Sequence, residues 1–258
     1  MQLGNWVDGS QGVVGNWSSE FAEVSIDRGM YYASKDFLAP DARRINWGWA
    51  AFEGGGMALP REIRYHVGLQ QLIHSPLAEL AQLHGASLAN LGSTSLPVDG
   101  TPLSLGSWTP AGVGNASDIN LTFALPKQAT CFNVTLLNGS LTLFTDYSPA
   151  ISPLTARVGV AIRNGKHVND TLQLLQSDKS ISLRIFVDRI LIEAFWMDGR
   201  VALTYATPSS RGLSWEVGVA ATAGSGAQLR SAVAFAMDNI WVSPEQVLAT
   251  PRYSLHVQ

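Results

Sequence analysis

The sequence contains a single cysteine, Cys131, in 258 residues. One thiol excludes an intramolecular disulfide framework and a cysteine-rich zinc site, so Cys131 is interpreted as a small core residue. Charged residues are also scarce, at 14%, and the formal net charge is −3. Because no basic run occurs, the chain lacks the electrostatic footprint of a protein that binds nucleic acid or an anionic membrane. Neither partner is therefore predicted.

Long apolar runs are missing as well, since no stretch reaches the ~18 residues needed to cross a bilayer. Residues 1–6 carry neither the basic nor the apolar region of a secretory signal. The five histidines show no His-x-His or His-Glu-x-x-His spacing, and the glycine run at 54–56 lacks the Lys and Ser/Thr of a phosphate loop. The sequence thus predicts no transmembrane span, no targeting signal in this chain, no metal site and no nucleotide-binding loop.

Asparagines, in contrast, occur in an unusual pattern. Six of the eleven begin an Asn-x-Ser/Thr triplet without proline, where composition alone would give about one or two. They are Asn16, Asn115, Asn120, Asn133, Asn138 and Asn169. The excess indicates a glycosylated, secreted or vacuolar protein, with Asn133 and Asn138 at strand ends or on an outer sheet face, because glycans must face solvent. The alternative is that Asn, Ser and Thr are simply frequent in the turns of β-proteins.

Short, turn-bounded apolar segments dominate the chain and predict an all-β protein, with a β-sandwich over the C-terminal two thirds. One helix is predicted over 76–85, where Ser75 can cap, Pro76 fits the first position and Gly85 fits the stop. Residues 86–114 are rich in Ser, Gly, Thr and Pro without a strong period. We expect loops there, with at most one edge strand.

The best-specified element is a hairpin around Asp198-Gly199, a dipeptide that accepts the positive φ angles of a type I′ turn. With these two residues as the loop, one face carries six apolar residues in three opposed pairs. These pairs are Trp196 with Val201, Ala194 with Leu203 and Ile192 with Tyr205. The other face is mixed, with Glu193 opposite Thr204, and therefore need not be fully buried.

Asp188 and Glu193 invite comparison with the carboxylate pair of a glycosidase. Five positions apart on a continuous strand, they would lie on opposite faces with roughly 16 Å of rise between them. We therefore interpret both as turn or sheet-surface residues rather than as a catalytic pair.

Four aromatic residues cluster in the N-terminal part, namely Tyr31, Tyr32, Trp47 and Trp49. On a strand, Trp47 and Trp49 share a face. Flat rings stack on the C–H-rich faces of sugars, while polar neighbours bind the hydroxyls. The cluster is therefore a candidate sugar site; the alternative is ordinary core packing.

Two blocks carry a family resemblance. Residues 27–49 contain Asp-x-Gly-x-Tyr-Tyr-Ala followed by Arg-Arg-Ile-x-x-Gly-Trp, and residues 187–204 contain Val-Asp-Arg-Ile-Leu-Ile-Glu-Ala-Phe. Shorter segments at 59–63, 77–80 and 236–241 agree. Together they resemble the C-terminal half of glycoside hydrolase family 32, the β-fructofuranosidases. The chain departs from the family pattern at Met30, at Ile190 and at 206–211.

The resemblance implies a domain plan and a site. Residues 1–75 would form the last blade of a five-bladed β-propeller, 76–85 a helical connector and 86–258 a C-terminal β-sandwich. Asp27, Tyr32 and Trp49 would line a fructose pocket as shaping and hydrogen-bonding groups. For Asp27 the alternative is a turn-forming role before Gly29.

The family activity would be hydrolysis of a terminal β-fructofuranoside, such as sucrose or a fructan, with retention and without a cofactor. The family's Asn-Asp-Pro, Arg-Asp-Pro and Glu-Cys motifs do not occur in the sequence, so we expect a C-terminal fragment that is inactive alone. Two other hypotheses stay open. The chain could be a non-catalytic carbohydrate-binding or scaffolding β-sandwich module, or the inert product of an incomplete gene model.

Overall fold

A computed structural model describes residues 5–9, 12–16, 25–108, 116–137, 139–162, 167–189, 191–206, 215–240 and 242–249. These residues form antiparallel sheets almost throughout, which confirms the predicted all-β class. In the described part of the chain, no helix is long and apolar enough to cross a membrane.

The N-terminal part forms a five-stranded sheet preceded by a separate hairpin. The hairpin comprises β1 (Asn5–Gly9) and β2 (Gly12–Asn16). The sheet comprises β3 (Tyr31–Leu38), β4 (Arg44–Ala50), β5 (Gly56–Met57), β6 (Arg61–His66) and β7 (Gln71–Pro76). Strands β3, β4, β6 and β7 pair in that order, and β5 pairs with β4. This four-stranded antiparallel arrangement is the one found in propeller blades. We call it the blade sheet.

The predicted helix is shorter and tighter than expected. A 3-10 helix spans Ala78–Leu83, without a side-chain cap, while Pro76 ends β7 and Gly85 lies within the next strand. Ser75 does not cap it, because its hydroxyl donates to the carbonyl of Asp198 at 2.7 Å. The sequence around Ser75 favours a helix with Ser75 as its cap. In the structure the Ser75 hydroxyl bonds to the sandwich instead.

Two packed sheets form the sandwich. The seven-stranded sheet contains β8 (His84–Leu91), β9 (Thr94–Ser95), β11 (Ala116–Ala124), β16 (Ser180–Asp188), β17 (Leu191–Trp196), β18 (Val201–Ala206) and β20 (Gln228–Met237). The six-stranded sheet contains β10 (Leu103–Trp108), β12 (Thr130–Leu136), β13 (Leu141–Tyr147), β14 (Thr155–Ile162), β15 (His167–Gln173) and β19 (Trp215–Ala221). A short helix, α1 (Pro244–Ala249), follows β20.

The strand order contains more β-structure than the sequence predicted. The seven-stranded sheet runs β18-β17-β16-β11-β20-β8, and the six-stranded sheet runs β10-β19-β12-β13-β14-β15. Strands β8 and β10, both in the region expected to be mostly loop, are therefore edge strands of different sheets. Edge positions tolerate the Ser, Gly and Pro that weaken a strand signal, which is why the composition suggested loops.

The core lies between the two sheets and is almost entirely aliphatic and aromatic. Inward residues alternate along the central strands, as in Ile119, Leu121 and Phe123 of β11. Its largest fully buried side chain is Trp196 of β17, whose indole N–H donates to Thr145 Oγ1 of β13 at 2.9 Å. This bond links the two sheets and satisfies the one polar group of the ring.

The predicted hairpin register is confirmed. Trp196 pairs with Val201, Ala194 with Leu203 and Ile192 with Tyr205. Asp198 and Gly199 have φ angles of 57° and 88°, as the positive-φ turn requires. Gly199 has a second role, because a Cβ there would lie 2.2 Å from the carbonyl oxygen of His74 in the blade sheet. The hairpin tip therefore docks against β7.

The other face of this hairpin is buried at Glu193, Phe195, Ala202 and Thr204, contrary to its mixed composition. Glu193 and Thr204 are 2% and 0% exposed. The interpretation of Glu193 as a surface residue was therefore wrong, and so was the assumption of a continuous strand, because the chain reverses between Asp188 and Leu191, which pair with each other. Asp188 is exposed at its strand end. Glu193 is buried because the blade sheet covers this face.

Three of the predicted glycosylation sites have described side chains. Asn120 and Asn169 are exposed, and Asn133 is half-buried on the outer face of β12, between the inward-facing Phe132 and Val134. Asn16 ends β2. Asn115 and Asn138 lie outside the described residues. The described asparagine side chains are thus placed where a glycan would meet solvent.

Candidate functional site

The segment 27–30 joins the blade sheet to the sandwich through main-chain hydrogen bonds. Arg28 N donates to Ala202 O at 3.1 Å, and Met30 N donates to Thr204 O at 2.7 Å. The segment therefore extends along the edge of β18 that no other strand pairs with in the described part of the chain, before it enters β3. A Cβ at Gly29 would lie 1.8 Å from Thr204 O, so this close approach requires glycine.

Asp27 holds this segment from within. Its Oδ1 accepts hydrogen bonds from Gly29 N at 2.6 Å and Thr204 N at 3.0 Å. Its Oδ2 accepts from Thr204 Oγ1 at 2.8 Å and from Arg61 Nη2 at 2.9 Å. The side chain of Asp27 is only 1% exposed. Its carboxylate thus makes the turn contact with Gly29 and ties β18 to the blade sheet.

Arg61 is the central cation of the buried ionic network, which we define as Asp27, Arg61, Glu193 and Thr204. Arg61 Nη2 donates to Glu193 Oε2 at 2.8 Å and to Thr204 Oγ1 at 2.7 Å, in addition to Asp27. Glu193 Oε1 also accepts from Leu59 N at 2.6 Å. The network contains two carboxylates and one guanidinium, so its formal charge is −1.

Two nitrogens of Arg61, Nε and Nη1, are buried without a hydrogen-bond partner among the described residues. Aromatic rings lie against the guanidinium instead. Its Cζ is 4.0 Å from the ring centroid of Tyr31 and 5.0 Å from that of Phe195. Such cation–π contacts contribute about 2 kcal/mol or more when desolvated, and they partly compensate for the missing bonds.

Burial and charge shift the titration of this region. Burial raises the pKa of Glu193 above its usual value, and the proximity of Arg61 opposes the shift. Burial alone would lower the pKa of Arg61, but Asp27 and Glu193 outweigh it and the pKa ends above its usual value. Burial raises the pKa of Tyr31 to about 12. His74 is buried beside the network, and burial together with Arg61 lowers its pKa to about 4, which keeps it neutral near pH 7.

The opposite face of the blade sheet carries exposed aromatic rings. Tyr32 is 69% exposed and lies directly opposite Trp49, which is 44% exposed. Trp47 shares this face of β4 and is 39% exposed, as the strand alternation predicted. We call Tyr32, Trp47 and Trp49 the aromatic surface.

Local backbone features shape the aromatic surface. A register shift in β3 separates Tyr32 from Lys35, which pairs with Trp47, and Ala33 within it has a φ of 47°. The ring of Trp49 crosses Gly55, where a Cβ would lie 1.9 Å from the ring. On the buried face, Tyr31 donates its hydroxyl hydrogen bond to Asn46 Oδ1. Neighbouring tyrosines therefore serve opposite faces.

Of the three predicted sugar-pocket residues, the structure brings Tyr32 and Trp49 together and places Asp27 apart from them in the buried ionic network. Arg61 and Glu193 were not predicted as partners of Asp27. A usable signal existed, since Arg61 and Glu193 both fall in segments that carried the family resemblance. What was missing was the pairing, because these residues are 132 positions apart.

The two carboxylates of the buried ionic network are not arranged as a retaining catalytic pair. Retaining hydrolysis needs one carboxylate as nucleophile and another as acid/base. Asp27 and Glu193 are instead both committed to one guanidinium and shielded from solvent. Among the described residues, no group of three or more His, Cys, Asp or Glu could hold a metal ion. The aromatic surface can stack on a sugar.

The family model and the curated relatives that match this chain point to the same family. Residues 87–232 match the domain described as "Glycosyl hydrolases family 32 C terminal". Beta-fructofuranosidase, insoluble isoenzyme CWINV6, from Arabidopsis thaliana is 26% identical over 257 aligned positions, which cover 74% of this chain and 46% of that protein. The chain spans less than half the length of the curated relatives it matches.

Solved structures share the fold. Fructan 1-exohydrolase IIa from Cichorium intybus superimposes with a TM-score of 0.72 at 15% identity, covering 92% of this chain and 54% of that one. A variant of the same enzyme in complex with 1-kestose gives a TM-score of 0.61 at 15% identity, covering 84% and 49%. The domain match spans more than half of the sequence, and the blade sheet and sandwich follow the expected order. The chain therefore belongs to glycoside hydrolase family 32, of which it carries the C-terminal part.

Proposed function

We propose that this chain is the C-terminal part of a β-fructofuranosidase that hydrolyses terminal β-fructofuranosides, such as sucrose or a fructan, with retention. The main support for this proposal is the family match over residues 87–232. The sequence contains none of the family's three catalytic motifs. Cleavage accordingly requires polypeptide that supplies the nucleophile and the acid/base, and this chain contributes substrate contact and a supporting domain.

The aromatic surface is the proposed contact with fructose. Tyr32 and Trp49 form a directly opposed pair of exposed rings on neighbouring strands. Contiguous exposed apolar patches, unlike single exposed rings, commonly mark a ligand-binding site or an interface. A sugar ring offers the matching shape, because its C–H groups can lie on the indole while its hydroxyls reach the Tyr32 hydroxyl.

Asp27 supports the proposed site without touching the sugar. Its carboxylate fixes the turn at Gly29 and the edge pairing to β18. That segment leads directly into β3, where Tyr32 lies five residues after Asp27. We assign Asp27 a positioning role that shapes the pocket through the backbone.

We also infer passage through a secretory pathway. Six Asn-x-Ser/Thr triplets occur in the sequence. The described asparagine side chains among them, at 120, 133 and 169, all lie on outward faces of the sandwich sheets. A secreted or vacuolar location would suit the extracellular or stored sugars that such an enzyme uses.

A binding titration tests the proposed contact. Tryptophan fluorescence of the chain should change on addition of sucrose or 1-kestose, and Trp49→Ala and Tyr32→Ala should each weaken binding about tenfold, on the order of 1.4 kcal/mol. Tyr65→Ala is the matched control, because Tyr65 is an aromatic residue of the same sheet and is 51% exposed. Tyr65 lies on β6 near the N-terminal end of β4, whereas Trp49 lies near the C-terminal end of β4. The chain alone should release no fructose from either sugar.

Two results would contradict the proposal. Equal weakening by Tyr65→Ala would remove the special role of the aromatic surface. Release of fructose by the chain alone would show that a catalytic carboxylate pair exists within it. The second candidate function is that of a sugar-binding module without catalytic activity. A natural protein that binds the sugar with full affinity but releases no fructose would favour this function.

A further inference from the structure

A groove lies on the outer face of the seven-stranded sheet and shares no lining residue with the aromatic surface. It encloses about 280 Å³. Its lining consists of His84, Asp118, Asn120, Thr122, Arg184, Ser231, Val233 and Phe235. Small-molecule sites commonly enclose ~300–1,000 Å³, so this groove suits a single sugar ring rather than a long oligosaccharide.

The floor of the groove contains one of the Asn-x-Ser/Thr triplets. Asn120 and Thr122, the first and last members, both project from β11 to this face. Asn120 lies directly between Arg184 of β16 and Val233 of β20. It is exposed, although its strand lies in the interior of the sheet. A glycan on Asn120 would therefore begin inside the groove.

Fixed ionic and aromatic groups form the walls. Arg184 donates to both oxygens of Asp118, at 3.0 and 2.7 Å, and His84 Nε2 lies 2.8 Å from Asp118 Oδ2. The imidazole stacks on Phe235, with centroids 4.2 Å apart and an angle of 10° between the rings. Asp118 is thus fully engaged, and it holds the guanidinium and imidazole rigidly around the opening.

Other polar groups along the groove are available to a ligand. Within the described ranges, no hydrogen bond engages the side-chain polar atoms of Asn120, Thr122 or Ser231. They are neutral donors and acceptors beside a flat aromatic wall, the combination that recognises a sugar ring rather than a charged ligand. An acetylated amino sugar would fit this mixed lining.

We propose that an N-linked glycan is attached to Asn120 and that its first sugar is held in this groove. The inference rests on the secretory part of the proposed function. Attachment forms a bond between Asn120 Nδ2 and C1 of N-acetylglucosamine, breaks the bond from C1 to the lipid diphosphate donor, and releases the amide proton. The step precedes folding, and the folded sheet then encloses the first sugar between the walls.

The test compares two glycans on the same protein. The chain is secreted from a eukaryotic cell, and glycopeptide mass spectrometry measures occupancy at Asn120 and Asn169. Asn169 is the control, because it is exposed on the edge strand β15. Both sites should be occupied. Under native conditions, peptide-N-glycosidase should remove the Asn120 glycan at least tenfold more slowly, whereas the two rates should converge after denaturation.

A variant adds a second measurement. His84→Ala removes the stacked wall while Asp118 keeps both bonds from Arg184, so deglycosylation at Asn120 should accelerate and that at Asn169 should not. The wild-type ratio decides the inference even if this variant does not fold. Occupancy at Asn169 without occupancy at Asn120, or equal native rates at both, would overturn the groove assignment alone. Absence of glycan at both would overturn it together with the secretory inference.

Discussion

Arg61 of the blade sheet donates a hydrogen bond of 2.8 Å to Glu193 of the sandwich, in a site where both side chains are almost completely buried. The same guanidinium nitrogen reaches Asp27 at 2.9 Å. One cation thus joins the segment before β3, the strand β6 and the hairpin strand β17. Buried charges are costly unless paired, so this arrangement fixes how the two parts meet.

The buried ionic network contains two carboxylates but only one cation, and this imbalance leads to a prediction about stability. Arg61→Met would leave two buried carboxylates without a cation, and we expect a loss of about 3–5 kcal/mol in the free energy of unfolding at neutral pH. Glu193→Gln should cost less, because Arg61 keeps Asp27 as its counter-ion. Urea unfolding of the folded chain measures both losses.

An exposed ion pair supplies the control for that prediction. Arg157 and Asp146 lie 3.0 Å apart with side chains 60% and 40% exposed. Arg157→Met should change stability by less than about 1 kcal/mol, because solvent screens the pair. If Arg61→Met and Arg157→Met cost the same, the buried ionic network does not hold the two parts together.

Gly29→Ala tests the edge pairing of segment 27–30. The new methyl group would clash with Thr204 O, and we expect a destabilisation of about 1–3 kcal/mol, typical of overpacking, with loss of the bond from Met30 N. Gly92→Ala is the control, because a Cβ there meets nothing within 4 Å. Hydrogen exchange at Met30 should accelerate in the first variant only. Unchanged protection would show that the segment does not depend on glycine.

His74 predicts an acid-sensitive contribution to stability. Its pKa is lowered to about 4 in the folded chain, from 6.5, so the unfolded state binds more protons between these values. Stability is therefore fully present above pH 6.5 and falls as the pH drops towards 4, by about 3 kcal/mol at most. The raised pKa of Glu193 acts in the opposite direction.

Comparison with His74→Gln isolates this contribution. The variant should show a shallower loss of stability than the parent between pH 6.5 and 4, measured by urea unfolding at several pH values. Parallel pH profiles would mean that His74 can be protonated in the folded chain without cost.

Thr145→Val tests the bond that links the two sheets of the sandwich. The substitution would leave the buried N–H of Trp196 without an acceptor, at an expected cost of about 1–3 kcal/mol. Thr142→Val on the outer face of the same strand should change stability by less than about 0.5 kcal/mol. Thermal unfolding of both variants distinguishes these outcomes, and equal melting temperatures would argue against the role of the bond.

The sequence alone was sufficient for the all-β class, the sandwich and the register of β17 with β18. These features depend on local information, namely alternation of period two and a turn dipeptide with positive φ. The two segments that resemble glycoside hydrolase family 32, at 27–49 and 187–204, were also recognisable from the sequence. The connector was only partly predicted, because the helix signals around Ser75 were real but Asp198 engaged that hydroxyl. The edge strands β8 and β10 were missed because their composition suits loops.

Tertiary structure alone decided which charged residues belong together. Nothing local distinguishes Glu193, in a strand with a mixed outer face, from a solvent-exposed glutamate. Its burial follows from the blade sheet that covers it, and its charge is tolerated because Arg61 comes from a segment 132 positions away. For the same reason Asp27, which was expected beside the rings of Tyr32 and Trp49, lies in the buried ionic network and not on the exposed face that carries these rings. Alternation along a strand places side chains on two faces, but only packing determines which face meets another domain and which meets solvent.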